Sequence, residues 1–167
     1  LVGMDLMEEQ RDMPLSIWMD PERVHLAGGV DIRYGWLCPE LPAKPILCIT
    51  DPHAEALGFL HSGAAGFGVR RYRDWTSIFS AAPCIPPDVL RPIFQNAGAH
   101  VYIDSGDVIY ANCSMLACSA SVRGMKTLRL PYGNELVDAL SGGRIPLVDG
   151  TCAIFMKRHE TRLFWRC

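Results

Sequence analysis

The pattern of apolar and polar positions is clearest in the middle of the chain, across residues 70–131. Residues 70–72 and 76–79 are segments with β-branched or aromatic side chains, and the polar pair Arg73-Asp74 divides them. Short runs of this kind on either side of a polar break are typical of two strands. We therefore predict a strand, a turn and a second strand here.

A helix is predicted next. Pro87 and Asp88 suit a first helical turn, because proline has a helical φ and an early carboxylate favours the positive helix end. Pro92 is tolerated because it falls near the helix start, and Gly98 is expected to end the helix. The apolar residues recur at the three-to-four spacing of one helical face: Val89, Leu90, Ile93, Phe94 and Ala97.

A hairpin is predicted after the helix. Residues 100–103 and 108–111 are apolar runs, and the sequence Asp104-Ser105-Gly106-Asp107 lies between them. Aspartate, serine and glycine are residues that favour tight turns between strands. The pattern predicts that these two runs pair across the turn.

The rest of the chain is predicted to be mostly strand. Residues 1–10 are compatible with a helix or a connecting segment, because their apolar positions are irregular. Residues 31–45 are predicted to be a loop, and residues 134–140 a short helical turn. Strands are predicted at residues 14–19, 24–27, 45–50, 56–60, 67–71, 115–120, 126–130 and 145–148, followed by a terminal hairpin of residues 151–156 and 162–165.

Several linked motifs in the middle of the chain resemble a known family. They are W-T-S-I, S-A-A-P, P-x-x-L-R, A-G-x-H-V-Y, D-S-G-D-V-x-Y-A-N and K-T-L-R-L-P, in this order between Trp75 and Pro131. Their order and spacing resemble the C-terminal non-catalytic region of bacterial β-galactosidase-like glycoside hydrolases. The likeness extends over residues 44–149. In those proteins a catalytic barrel is followed by an amidotransferase-like, trimerisation-type α/β domain and a small β domain.

This resemblance implies an α+β, strand-rich fold. The expected architecture is a partial flavodoxin-like or amidotransferase-like α/β unit followed by a small antiparallel β unit. Residues 1–124 are expected to form the truncated α/β unit, and residues 125–167 the small β unit. The two units are expected to be separate or packed as one domain.

The composition narrows the function classes. With 49% hydrophobic and 20% charged residues, the 167-residue chain can bury a core. A formal net charge of −2 gives no electrostatic case for nucleic acid or an anionic membrane, and no apolar run reaches the length of a membrane helix. Seven cysteines without zinc-type or redox-type spacing indicate reduced thiols in a cytoplasmic protein, and a disulfide framework is the alternative. Because Leu1 is not an initiator methionine, we expect that the chain belongs to a longer protein or that its start was removed.

Four residues are candidates for ligand binding: His100, Asp104, Asp107 and Trp75. The two carboxylates flank Ser105-Gly106 and could bind a ligand, although aspartates in a turn more commonly bond the backbone. His100 could be a base or ligand, or a histidine bonded to a carbonyl. Trp75 could stack on a sugar ring, or pack in a core or interface.

No catalytic residue, metal site or cofactor is predicted. An amidotransferase-type nucleophile would be a cysteine on a strained elbow between strand and helix, flanked by small residues. Cys84 lacks such flanking glycines, and Cys48, Cys113 and Cys118 lie in or beside predicted strands. The resemblance agrees, because the glycosidase-associated domains have lost the amidotransferase residues. Glycoside hydrolysis would need a carboxylate pair that the related enzymes carry on their barrel.

The sequence therefore predicts a non-catalytic accessory or oligomerisation domain. A composition with more apolar strands than one helix can cover favours a homo-oligomer, and the resemblance adds a glycoside hydrolase catalytic domain as a partner. The first alternative is a small-molecule or carbohydrate-binding module. The second is a free-standing thiol hydrolase.

Overall fold

The computed structural model describes residues 2–23, 32–35 and 43–166. The strand predicted at residues 24–27 and most of the loop predicted at residues 31–45 lie outside the described residues, and within that loop residues 33–35 form a strand, contrary to the prediction. The elements are β1 (Leu6–Glu9), β2 (Ser16–Met19), β3 (Arg33–Gly35), β4 (Ile46–Ile49), β5 (Glu55–Leu60), β6 (Ala65–Arg71), β7 (Thr76–Ser80), α1 (Pro87–Asn96), β8 (Val108–Ala111), β9 (Met115–Ser119), β10 (Gly124–Arg129), β11 (Glu135–Asp138), β12 (Arg144–Pro146), β13 (Thr151–Met156) and β14 (Thr161–Arg166).

The fold is almost entirely antiparallel β-sheet, so the predicted flavodoxin-like or amidotransferase-like α/β unit is wrong. Every strand pairing in the described part of the chain is antiparallel. A parallel α/β sheet needs a crossover of a dozen or more residues, usually a helix, between neighbouring strands. Here most strands are joined by turns, and α1 is the one helix among the described residues. The strand-rich part of the prediction is correct.

The chain divides into two compact units, with the boundary between Leu90 and Arg91. Unit 1 comprises Leu1–Leu90 and unit 2 comprises Arg91–Cys167. The division after residue 124 that the resemblance implied would fall where β10 begins, and it stays a prediction. No helix in the described part of the chain has the length and apolar character needed to cross a membrane.

Unit 1 is built on one seven-stranded sheet. Its strand order is β1-β4-β6-β5-β2-β3, and β7 pairs with β6. Residues 66–69 of β6 are all buried, and Gly58 and Gly68 have no room for a Cβ. At Gly58 an added Cβ would lie 2.8 Å from an Ile17 methyl group, so neighbouring side chains pack directly over this glycine because it has no side chain. The largest buried side chains of this unit are Phe67, Ile17 and Met19.

Unit 2 has two antiparallel sheets that share a core. The five-stranded sheet has the order β12-β11-β14-β9-β8, and β10 pairs with β13 in a two-stranded sheet. Alternate residues of each strand face inward, as the period of two requires. The core that these residues form contains Ile103, Leu116, Cys118, Ala120, Leu128, Leu130, Leu136, Cys152, Ile154, Met156 and Phe164.

Several predicted elements are confirmed. Strands β6 and β7 pair across Arg73-Asp74, and β5 pairs with β6 across the small-residue turn before Ala65. The helix forms as α1, and Gly98 follows its end with φ of 77°. Only part of its apolar face is buried: Val89 is buried, whereas Phe94 is 50% exposed.

Three local predictions for the part of the chain after α1 are wrong. Residues 100–103 form no strand, and β8 pairs with β9 in place of the predicted hairpin partner. Residues 134–140 contain β11 where a helical turn was expected. Strands β13 and β14 form no terminal hairpin, because β13 pairs with β10 and β14 lies between β9 and β11. Strand β8 thus pairs with the strand that follows it, whereas β13 and β14 pair with strands farther away in the sequence, where long-range contacts override the local pattern.

Candidate functional site

The two aspartates of the predicted turn have different environments. The Asp107 side chain is fully buried, and its Oδ2 lies 2.8 Å from Nζ of Lys126, which is itself only 3% exposed. Ser121 donates to Asp107 Oδ1 from its backbone N–H and its hydroxyl, at 2.8 and 2.9 Å. Ser105 Oγ donates to Oδ2 at 2.5 Å. Asp107 therefore forms a buried ion pair, and both of its carboxylate oxygens have hydrogen-bond partners. A ligand would have to displace these partners to reach the carboxylate.

The electrostatics of Asp107 agree with that role. Burial alone would raise the pKa of its carboxyl group, but the hydrogen bonds from Lys126, Ser105 and Ser121 outweigh burial and hold the pKa well below its usual range. The neighbouring Cys118 thiol responds in the opposite sense. Burial, with the negative charge of Asp107, raises the pKa of Cys118 to about 11.

His100 and Asp104 do come together, in an open cleft of unit 2. The cleft has a volume of about 480 Å³ and is lined by Gln95, Gly98, Ala99, His100, Val101, Asp104 and Arg129. The Asp104 carboxylate pairs with the Arg129 guanidinium, and both side chains are about half exposed. His100 Nε2 lies 2.8 Å from the carbonyl oxygen of Arg129, and the His100 ring packs edge-on against Tyr102 with centroids 4.6 Å apart.

This cleft offers a carboxylate, a guanidinium, an imidazole and an amide around one opening. Such groups can bond the hydroxyls of a polar small molecule. Sequence reasoning missed Arg129 and Gln95. A signal for Arg129 was present, because residues 127–130 alternate between polar and apolar, which places the Arg129 side chain on the exposed face of β10. The assignment of His100 and Asp104 to a ligand site stays a prediction.

Trp75 belongs to unit 1 and is 51% exposed. It lies after the β6–β7 turn, and its ring stacks on Tyr72 with a centroid distance of 4.3 Å and an interplanar angle of 5°. The Arg70 guanidinium covers the Tyr72 ring at 4.7 Å. The alternative in which Trp75 packs in a core is therefore wrong for this unit, while a role in an interface or on a sugar ring stays a prediction.

A groove runs along β7, beside Trp75. It has a volume of about 810 Å³, and all five residues of β7 line it together with Val2, Trp75, Ala82, Pro83, Cys84, Ile85 and Leu90. Most of these side chains are apolar. The groove therefore suits an apolar occupant better than a polar small molecule.

Two further carboxylates are also committed to ion pairs. The Asp51 side chain is fully buried and pairs with Arg70, and the backbone N–H of His53 donates to it at 2.9 Å. Asp138 pairs with Nε and Nη2 of Arg162 at 3.0 and 2.7 Å, and accepts the backbone N–H of Ser141 at 2.9 Å. Burial opposes the ionisation of Asp51, but its bonds prevail and lower its pKa. The Ser141 N–H, followed by Arg162, lowers the pKa of Asp138.

These three lowered pKa values determine how stability depends on pH. A carboxylate with a depressed pKa in the folded state contributes stability above its unfolded pKa of about 3.9, and this contribution is lost as the pH falls through the folded value. We expect a flat urea denaturation midpoint from pH 7 to about 5 and a fall below pH about 4. The Asp138→Asn variant should show a shallower fall. A midpoint that rises below pH 4 would contradict this assignment of charges.

None of the three thiols that have a shifted pKa is an activated nucleophile. Burial raises the pKa of Cys48, Cys118 and Cys152, whereas a catalytic thiol needs a lowered pKa. Cys84 and Cys113 are exposed, and Cys84 has a positive φ of 61°. No group of three or more metal-ligating side chains occurs within the described residues.

Comparisons with known proteins identify a solved structure with a similar fold. No protein family matches the chain, and no curated protein matches it in sequence. Among solved structures, the chain is similar to a β-galactosidase from Bacillus circulans sp. alkalophilus, with 13% identity and a TM-score of 0.51. The similarity covers 98% of this chain and 24% of that chain, so our chain spans about a quarter of the β-galactosidase. At this identity the match shows a shared β-rich fold.

Proposed function

We propose that the chain is a non-catalytic accessory domain of a β-galactosidase-like glycoside hydrolase. The observation that carries the proposal is the structural match, in which nearly the whole chain superposes on a minor part of a β-galactosidase. The expected partners are a glycoside hydrolase catalytic domain and further copies of the chain. Its role would be to pack against these protein surfaces.

The described carboxylates favour a structural role. A glycosidase acid must hold a proton near neutral pH, so its pKa is raised by its environment. Asp51, Asp107 and Asp138 have lowered pKa values and are each paired with a basic side chain. Asp104 is paired with Arg129. Asp51, Asp107 and Asp138 are therefore arranged to stay ionised and hold the fold.

The outer face of the five-stranded sheet in unit 2 supports a packing role. The strand registers place seven apolar side chains on this face: Val108, Tyr110, Met115, Ala117, Val137, Leu163 and Trp165. Tyr110 is 74% exposed, Val108 49% and Trp165 46%. A continuous apolar face of this kind is typical of a protein–protein interface.

The proposal is tested by assaying the purified chain with an aryl β-galactoside. We expect no turnover above the buffer rate. The matched variants are Asp104→Asn and His100→Ala, which remove the polar groups of the cleft without touching a core. Turnover by the wild-type chain that either variant abolishes would overturn the non-catalytic assignment and identify the cleft as an active site.

A further inference from the structure

Strand β7 forms an edge of the sheet in unit 1 and carries none of the usual protection. Its sequence, Thr76–Ser80, has no charged residue and no proline. Natural edge strands usually carry lysine, proline or a bulge, which prevent pairing with another chain. Strand β1, at another edge of the same sheet, carries Glu8 and Glu9. Strand β7 therefore lacks the charges that protect β1 in the same sheet.

The hydrogen-bond ladder shows which backbone groups of β7 are open. The N–H of Tyr72 donates to the C=O of Trp75, and the N–H of Ala81 donates to the C=O of Gly66, both at 2.8 Å. Bonded and non-bonded pairs alternate in an antiparallel ladder. Between these two bonded pairs, the N–H and C=O groups of Thr76, Ile78 and Ser80 must therefore point away from β6. No hydrogen bond between described residues uses them.

These three residues form a self-complementary edge. They are spaced by two and symmetric about Ile78, so an antiparallel copy centred on that residue would use every open N–H and C=O group. We propose that β7 pairs antiparallel with β7 of a second copy, with Ile78 opposite Ile78. This pairing names the contact for the self-association in the proposed function, and does not depend on the relation to glycoside hydrolases.

The side chains agree with this register. Ile78 is 37% exposed, and in the pair it would contact its symmetry equivalent and lose that exposure. Thr76 would lie opposite Ser80 of the second copy, which places a hydroxyl beside a hydroxyl. Pairs of β-branched residues and of Ser or Thr side chains are favourable neighbours across strands.

The groove gives the added strand a place to lie. A neighbouring strand runs about 4.8 Å from its partner, and the groove of about 810 Å³ follows all five residues of β7. Ile85 and Leu90 line the same groove. They can cover apolar side chains of the incoming strand. An extended, uncharged segment such as β7 itself is the occupant that these walls fit.

Unit 2 contains one comparable edge, which provides a matched control. Strand β8 is also an uncharged edge strand, and its Tyr110 is 74% exposed. The N–H of Asn112 donates to the C=O of Met115 at 3.0 Å, so by the same alternation the backbone N–H and C=O groups of Ile109 and Ala111 point away from β9. That ladder is shorter than the ladder of β7.

The first experiment is sedimentation velocity of the wild-type chain, Ile78→Lys and Tyr110→Lys at micromolar concentration, with circular dichroism to check folding. We expect a reversible wild-type dimer. Ile78→Lys should raise the dimer dissociation constant at least about tenfold, because two lysines would then face each other. Tyr110→Lys should leave the dissociation constant unchanged. A monomeric wild type, or a dimer lost in Tyr110→Lys and kept in Ile78→Lys, would overturn the proposal.

A second measurement covers the case in which Ile78→Lys fails to fold. In a background with Cys38→Ser, Cys84→Asn, Cys113→Ser and Cys167→Ser, oxidised Ile78→Cys should form a covalent dimer, because Cα atoms of a bonded antiparallel pair lie about 5.5 Å apart. Thr76→Cys should not, because its symmetry equivalent would be four residues out of register. Equal cross-linking of both variants would overturn the register. A monomeric wild type without glycosidase turnover would overturn this pairing and leave the non-catalytic assignment intact.

Discussion

Replacing Lys126 by methionine is expected to destabilise unit 2 by about 3–5 kcal/mol, because it leaves the buried Asp107 carboxylate without its counter-charge. The two side chains are 3% and 0% exposed, so water cannot take the place of the ammonium group without opening the core. Ser105 and Ser121 would still donate hydrogen bonds to Asp107, but hydroxyl and amide dipoles do not neutralise a full charge. The free energy of unfolding in urea measures the loss.

The matched control lies at the other end of the same turn. Asp104 pairs with Arg129 where both side chains are about half exposed, so Asp104→Asn should cost less than about 1 kcal/mol. The double variant Asp107→Leu/Lys126→Met should recover part of the loss, because an apolar pair leaves no buried charge. Equal stability of Lys126→Met and the wild-type chain would show that Asp107 is not a buried carboxylate.

The sequence contained the signal for this buried lysine. Residues 127–130 alternate between polar and apolar, and the period of two places Lys126 on the same strand face as Leu128 and Leu130. All three are buried, while Thr127 and Arg129 are exposed. A lysine on an apolar face needs a partner. The pattern could not identify Asp107 as that partner, since this depends on a contact between residues far apart in sequence.

The fold class could not be read from the same patterns. In β6, residues 66–69 form a continuous small and apolar run, which is typical of strands covered on both faces, as in α/β sheets. The structure buries these residues in an antiparallel sheet, where Gly58 and Gly68 leave room for neighbouring side chains to pack over the strands. Local pattern predicted strand correctly, but the direction of pairing is set by the turns and by long-range contacts.

Only part of the candidate site could be predicted, because its geometry also depends on contacts between segments that are far apart in the sequence. His100 and Asp104 share a cleft, as their proximity in sequence allows, while Asp107 is buried and Trp75 belongs to unit 1. Arg129 completes the cleft from β10, because its N–H donates to the Tyr102 carbonyl at 2.8 Å and places the two segments side by side. Nothing in the local sequence around His100 indicates that pairing.

Phe164→Ala is expected to destabilise unit 2 by about 3–5 kcal/mol, because the ring is fully buried and its loss leaves a cavity between sheets. Phe164 lies opposite Leu116 on β9 and Asp138 on β11, in the middle of the five-stranded sheet. Neighbouring strands on both sides restrict the collapse that could fill the space. Urea denaturation gives the free energy, and hydrogen exchange of β9 and β14 locates the loss.

The next residue in the chain provides the control. Trp165 points to the outer face of the same sheet and is 46% exposed, so Trp165→Ala removes a larger side chain from a site that water can fill. Its cost should be clearly smaller than that of Phe164→Ala, in keeping with the period of two along β14. If Trp165→Ala costs more, the apolar outer face must already be covered, for example by a second copy. Measuring both variants over a range of protein concentrations separates these cases, because burial in an interface makes stability depend on concentration.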